Sequence, residues 1–416
     1  MRILIVDINF DYKNIMYRQF YNQLAYNNEV DFFGPGYVSR EILDDGIFKF
    51  LESKEYSALI LGLFFVYSAN IEGMRYNAYA IHRNVIPYYS VNDAYQCCRK
   101  IFEQIKNVSG IIKIFHYIED SIFMTLGDYK ICEELMENGF WLMGEPLQTM
   151  SVYSQETQNE YPILTNQMIE LVEHNLSRYI PITMHAISYH EIFHMCYSLR
   201  EYDWCVPGNR SKMYYPMREK IYNVLRDKGY KCWEEDPYQK LSVGSIEKSK
   251  MNWYVFRNRG EKILSRFVGK KIYVSSYPKI DYIAICREKY LESMRRTKAV
   301  FVEGSIGNVL VRKYFEACAS GALMVGMDVP GMDAMGFRDG DNCRIVDAEN
   351  IDEKLAEIMT AEFDNEKIAA NGRKLILEKH MFANRALSLR QTIDAIKAEN
   401  YQGAYWNQGD YIIKNN

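Results

Sequence analysis

Three groups of residues carry types and spacings that could do chemistry. The first begins with Ala299-Val-Phe-Val-Glu303, a strand by composition, and continues through Gly304, Ser305, Ile306 and Gly307 into a helix expected over Asn308–Ala319. A strand that runs through a glycine-containing turn into a helix start presents backbone N–H groups and a positive dipole end to an anion, and a diphosphate suits it. On the expected helix Arg312 and Glu316 are four residues apart and share a face, with Lys313 on its flank. A cation toward phosphate and a carboxylate toward ribose hydroxyls would suit a nucleotide sugar. The competing reading is an i,i+4 ion pair on the surface of a crossover helix.

The second group is His190-Glu191-Ile192-Phe193-His194, an H-E-x-x-H string. On a helix it would turn two imidazoles to one face for zinc, with Glu191 as general base. No third ligand is signalled nearby, because Glu201 is too close and Glu234 and Glu235 lie beyond a new strand and helix. The string is therefore read as part of a linker. The third group is a scatter of acids and one imidazole at expected strand ends: Asp11, Asp93, Asp120 and His116. Each could deprotonate a hydroxyl, and His116 could equally be a plain strand-end imidazole. Asp339-Gly340-Asp341 has a D-x-D spacing, but Gly340 and Asn342 make it a turn first.

The elements that must position these groups alternate. In the N-terminal half strands are expected at 2–8, 30–33, 58–65, 85–91, 111–117, 140–143 and 180–186, with helices at 15–26 and 39–52. Continuous apolar strands separated by helix-length segments imply a parallel sheet covered on both faces, with its ligand crevice beyond the strands' carboxyl ends. A second such unit follows. It has strands near 202–205, 271–275, 299–303 and 322–327, and helices at 215–228, 287–295, 308–319, 351–361, 366–379 and 385–399. The 416 residues, 48% of them hydrophobic, exceed what one core usually holds. Net charge is −4, from 50 basic and 54 acidic residues mixed along the chain, which argues against nucleic acid as a partner. The nine cysteines include no C-x-x-C pair and read as buried thiols of a reducing compartment. The apolar run 57–69 is too short to span a bilayer. A cytoplasmic protein is expected, with peripheral membrane contact left open.

Arg312-Lys-Tyr-Phe-Glu-Ala-Cys-Ala-Ser-Gly321 followed by Ala-Leu-Met-Val resembles a segment of the CgeB-like, group 1 glycosyltransferases. Further pieces fall in that family's order: Tyr202-Asp-Trp-Cys-Val-Pro-Gly-Asn209 with Tyr215-Pro-Met-Arg218, Tyr290–Lys298, Gly336–Asn342, and Lys379-His380 with Asn384-Arg385-Ala386. In the N-terminal half Tyr117–Asp120 is similar to a shorter family segment. The resemblance implies a GT-B fold, two Rossmann-like parallel-sheet domains facing a cleft. Residues 1–195 would form the acceptor domain and 196–383 the nucleotide-sugar domain. Residues 384–416 would be a helix and tail that pack back on the first domain.

The implied activity is transfer of a hexosyl unit from a nucleotide sugar, a UDP-sugar favoured, to a glycan, protein or other hydroxyl acceptor. No metal and no other cofactor is implied for the chemistry. Donor contacts would fall to Gly208, Asn209, Arg218, Tyr290, Gly304, Ser305, Gly307, Asn308, Arg312, Lys313 and Glu316, with Glu316 on the ribose and Lys313 near the diphosphate. The catalytic base would come from Asp120, His116, Asp93 or Asp11, Asp120 first. Retaining relatives carry a glutamate where this chain has Asn308, so the stereochemistry stays open. Rival readings are a catalytically silent binding protein on the same fold, an epimerase, and a zinc peptidase through His190 and His194.

Overall fold

The computed structural model describes residues 1–8, 15–68, 91–116, 126–150, 165–193, 195–208, 215–233, 282–305, 307–349 and 351–415, with backbone alone at a few helix residues including Asp93. The expected strands at 85–91 and 271–275 lie outside this set, apart from Val91.

A first parallel sheet has the order β2-β1-β3-β4-β5-β6, built from β1 (Arg2–Val6), β2 (Glu29–Phe33), β3 (Ala58–Leu61), β4 (Ile112–His116), β5 (Trp141–Met143) and β6 (Tyr179–Ile180). The central strands β1 and β3 are apolar without alternation because helices cover both faces, and all four residues of β3 are buried. The helices are α1 (Ile15–Asn27), α2 (Arg40–Asp45), α3 (Ile47–Leu51), α4 (Leu63–Ser68), α5 (Val91–Lys106), α6 (Leu126–Glu137) and α7 (Thr165–Glu173).

A second parallel sheet, β10-β9-β8-β7, comprises β7 (Tyr202–Cys205), β8 (Thr297–Val302), β9 (Leu323–Met327) and β10 (Arg344–Val346). Its helices are α8 (Pro216–Asp227), α9 (Tyr282–Arg295), α10 (Arg312–Ala319), α11 (Ile351–Thr360) and α12 (Glu362–Lys379). Helix α8 opens on Pro216 and is followed by Gly229 at φ +81°, the start and stop its sequence signals.

The chain then returns to the first unit. Helix α13 (Phe382–Lys397) places Phe382, Ala386, Leu389 and Ile393 on one face, and all four join the core formed by residues 3–186. The final hairpin, β11 (Tyr401–Asn407) and β12 (Asp410–Asn415), turns through Gln408 and Gly409, both at positive φ. The hairpin docks: the Trp406 indole donates to Pro181 O at 2.7 Å, and the Tyr401 hydroxyl donates to Tyr179 O. The two passages between the units run side by side, with Ile187 N donating to His380 O and Phe382 N to Ile187 O, each at 3.0 Å. His380 is buried there, and burial and Arg385 push its imidazole well below the usual range. The neutral ring accepts from Arg385 at Nδ1 (3.0 Å) and donates from Nε2 to Met335 O (2.7 Å).

Four expected elements differ. The apolar run 58–65 is not one strand: β3 ends at Leu61 and α4 starts at Leu63. Gly62 marks the break, since a Cβ there would lie 2.0 Å from Asp7 Oδ2. The expected helix 39–52 is broken at Gly46 (φ +91°) into α2 and α3. Of 180–186 only Ile180 belongs to the sheet. The helix expected from Asn308 begins at Arg312 instead.

Candidate functional site

The carboxyl ends of β7, β8 and β9 set the frame. Beyond β7 lies Gly208 at φ +93°, where an added Cβ would sit 3.0 Å from Lys313 Cε, 3.1 Å from Lys313 Nζ and 3.1 Å from Arg218 Nη1. Two cationic side chains from different helices, α8 and α10, thus converge on one glycine. Tyr215 braces both. The Arg218 guanidinium carbon is 3.3 Å from the centre of its ring and Lys313 Nζ is 5.0 Å from it. Arg218 is only 1% exposed.

Beyond β8 the chain makes a tight turn. Gly304 is required by contact, since a Cβ there would be 2.6 Å from Val329 Cγ1 and 2.8 Å from Val309 O. Ser305 (φ +63°) and Asn308 (φ +46°) take left-handed conformations, which delays the helix to Arg312 and puts Lys313 in its first turn. The expected strand–turn–helix arrangement is therefore present, with its helix start four residues later. Gly307 N donates to Ser305 Oγ at 3.2 Å and Asn308 N to Ser305 O at 3.1 Å. Beyond β9, Asp328–Asp333 and Asn308 line a cavity of about 530 Å³. The lining belongs to the second unit, and one of its residues, Gly331, abuts the first: a Cβ there would touch Thr149 and Gln148.

Glu303, at the end of β8, was not singled out from sequence. It is 4% exposed, accepts from Met217 N at 3.0 Å and lies 3.9 Å from Arg218 Nε. Burial raises its carboxyl above the ordinary range, against the pull of Met217 N–H and Arg218.

Glu316 and Arg312 differ most from expectation. Rather than forming a surface pair, both are buried in a cluster with Arg287, Tyr290 and Glu191. Glu316 Oε1 accepts from Arg287 Nη2 at 2.6 Å and Oε2 from the Tyr290 hydroxyl at 2.5 Å. Burial alone would raise this carboxyl, but Arg287, Arg312 and Tyr290 outweigh it and hold it at about 2. Arg312 points away from the Gly208 cations. Its Nη2 donates to Glu191 Oε2 (2.6 Å) and Gln19 Oε1 (3.3 Å), and its Nε to Ala186 O (3.0 Å). Of the expected donor contacts, Arg312 thus has its Nε and Nη2 turned to the linker and α1. Tyr290 stands beside Glu316, while Gly208, Arg218 and Lys313 form the other group.

The H-E-x-x-H string is not on an α-helix. Residues 189–191 form one 3-10 turn, and Glu191 is a buried carboxylate shared by two arginines. His190 Nε2 lies 3.1 Å from Gln19 Nε2, and His194 falls outside the described residues. Among the described residues no three His, Cys, Asp or Glu side chains group as metal ligands. The D-x-D segment is a turn: Asp339 Oδ1 accepts from Ile345 N and Asn342 bridges Arg338 N and Gly336 O.

Asp11, Asp120, Asn209 and the side chain of Asp93 lie outside the described residues. His116, at the end of β4, is fully buried, with its ring 5.2 Å from that of Tyr17. Asp7, which follows β1, carries no motif that sequence reading would pick out. It accepts from Ile8 N, Phe65 N and the Tyr21 hydroxyl, and burial pushes it up to about 7 against those bonds. This carboxyl ties β1 to the start of α4. Among the described residues no helix is long and apolar enough to cross a membrane.

Residues 264–391 match the family model described as Glycosyl transferase-like. No curated protein matches the chain. Sucrose-phosphate synthase from Thermosynechococcus elongatus aligns over 96% of this chain and 100% of its own, at 11% identity and TM-score 0.50. That likeness shows the fold, a GT-B arrangement of two Rossmann-like units. Anabaena HepE in complex with UDP and glucose aligns over 95% of this chain and 100% of its own (8% identity, TM-score 0.49). A glycosyltransferase from Rickettsia africae aligns over 95% and 98% (10% identity, TM-score 0.47).

Proposed function

We propose that this protein transfers a sugar from a nucleoside-diphosphate sugar to a hydroxyl acceptor, and that the donor diphosphate sits on Arg218 and Lys313. The observation that carries the reading is the convergence of those two cations on Gly208, at the strand edge where a helix also begins. A diphosphate leaving group gains negative charge as the glycosidic bond breaks. Fixed cations and a helix start placed there lower the barrier without reorganising. In this proposal they carry the charge that a divalent metal carries elsewhere. The match of residues 264–391 to the glycosyl transferase-like family supports the same reaction class.

The remaining roles follow from placement. Glu316, held anionic, keeps lone pairs for ribose hydroxyls beside Tyr290. The cavity between Asn308 and Asp333 borders the turn and the first unit, and would receive the transferred sugar. The base that deprotonates the acceptor is assigned to Asp120, with Asp93 and Asp11 behind it; His116 would have to be uncovered to act. We place residues 1–195 as the acceptor domain and 196–383 as the donor domain, with 384–416 packed on the first. The donor to test first is a UDP-sugar, and the acceptor class is a glycan or other hydroxyl compound, as in the CgeB-like enzymes the motifs resemble.

Thermal-shift screening of the purified protein against a panel of nucleotide sugars, followed by assay of nucleoside diphosphate release with and without acceptor, tests the proposal. Stabilisation by one donor and acceptor-dependent release support it. Binding without turnover would favour a silent binding protein, a reading consistent with Asn308 at the position where retaining relatives carry a glutamate. Absence of binding to every donor would reject it.

A further inference from the structure

We propose that Glu191, the acid of the H-E-x-x-H string, is a positioning residue of the donor site that keeps Glu316 available to the ribose. This rests on the donor-site reading above. Three buried charges and one partly buried one, from three parts of the chain, form one neutral cluster: Arg312 and Glu316 on α10, Glu191 on the linker, and the partly buried Arg287 on α9. Glu191 is the most enclosed, its side chain 1% exposed. Arg287 Nη2 divides between Glu191 Oε1 (2.5 Å) and Glu316 Oε1 (2.6 Å). Arg312 Nη2 is drawn to Glu191 Oε2 (2.6 Å), which leaves its Nε 3.4 Å from Glu316 Oε1. Ser188 N also donates to Glu191 Oε2 at 2.9 Å, fixing the carboxylate on the linker backbone.

The charges balance two against two. Without Glu191 both guanidinium groups are left with a single carboxylate, and a buried cation without a counter-ion is strongly unfavourable. Both arginines then close on Glu316, whose oxygens would be fully taken by protein donors. Glu191 thus acts through the arginines, holding Arg312 against Ala186 and Gln19 and sparing Glu316. The string that reads as a metal motif serves as an internal counter-ion between linker and donor helix.

The experiment compares two ligands in two proteins. UDP, ADP and GDP are titrated calorimetrically into the wild type, and the best binder is paired with its 2′,3′-dideoxy form. The expected result is that Glu191→Gln weakens the ribose-bearing nucleotide about tenfold, within the range for a hydrogen bond to a charged group, and leaves the dideoxy form within about twofold. A merely structural role would lower the melting temperature while affecting both ligands equally, and that equality would overturn the proposal. If Glu191→Gln does not fold, Glu191→Asp, shorter by one methylene but still charged, carries the same comparison: selective weakening of the ribose-bearing form supports the proposal and equal weakening overturns it. A wild type that binds none of the three diphosphates rejects the donor-site reading and this proposal together. Normal wild-type binding with an unaffected variant rejects only the proposal.

Discussion

Substituting Gly208 by alanine perturbs the proposed diphosphate site through one methyl group. The backbone there has φ +93°, which an L-residue adopts at a cost of roughly 1–2 kcal/mol in stability. The new Cβ would meet Lys313 Cε at 3.0 Å and Arg218 Nη1 at 3.1 Å, so both tips must yield by a few tenths of an ångström. Losing the aim of one charged donor on a phosphate oxygen is worth about 1.5–3 kcal/mol, or roughly ten- to a hundredfold in Kd. Gly229→Ala is the matched control, because Gly229 also has positive φ (+81°) but a Cβ there meets nothing within 4 Å. Urea unfolding should show both variants destabilised to a similar degree. Calorimetry with a nucleoside diphosphate should show Gly208→Ala weakened about tenfold or more and Gly229→Ala unchanged. A Gly208→Ala protein that binds as tightly as wild type would refute the placement of the phosphates.

Glu316→Ala should cost about 3–5 kcal/mol in stability, read from urea unfolding, because it leaves Arg287 and Arg312 to share the one carboxylate of Glu191; a loss below about 1 kcal/mol would show the cluster to be solvated. The Asp7 carboxyl, raised to about 7, binds its proton more tightly folded than unfolded. Its own contribution to stability is therefore fullest below about pH 4, and up to about 4 kcal/mol of it is lost as pH rises through about 7. Asp7→Asn should flatten the change in unfolding free energy between about pH 5 and 8, and an unaltered slope would contradict this. Sugar transfer should persist in EDTA; loss restored by manganese would assign the leaving-group charge to a metal instead. Purified protein should carry no stoichiometric zinc by metal analysis, and His190→Ala with His194→Ala should retain nucleotide binding.

Much of the frame is legible in the chain. Apolar runs without alternation mark β1, residues 299–302 of β8, and β9, because both faces of each sheet are covered. Pro216 and Gly229 bracket α8. What misleads is local. Residues 58–65 are apolar throughout, so neither strand nor helix period shows, and only Gly62, pressed against Asp7, marks the change. The start of α10 slips from Asn308 to Arg312 because Ser305 and Asn308 sit at positive φ, which side-chain type does not announce. His190–His194 matches a metal motif in spacing but not in conformation. The signal for the actual arrangement is Ser188-x-x-Glu191, a spacing that returns the glutamate to a backbone N–H. Arg312 and Glu316 are legible as a pair, whereas their burial with Glu191 and Arg287 depends on residues 96 and 121 positions apart that only the fold brings together.

The central claim is that Arg218 and Lys313 hold a donor diphosphate. Its most direct test is to titrate UDP and uridine monophosphate into the wild type and into Lys313→Met, which keeps the stem and removes the charge. The second phosphate should strengthen wild-type binding about tenfold or more, and Lys313→Met should erase most of that difference while binding the monophosphate almost as before. Equal affinity for the two nucleotides in the wild type, or a difference that survives in Lys313→Met, would contradict the account.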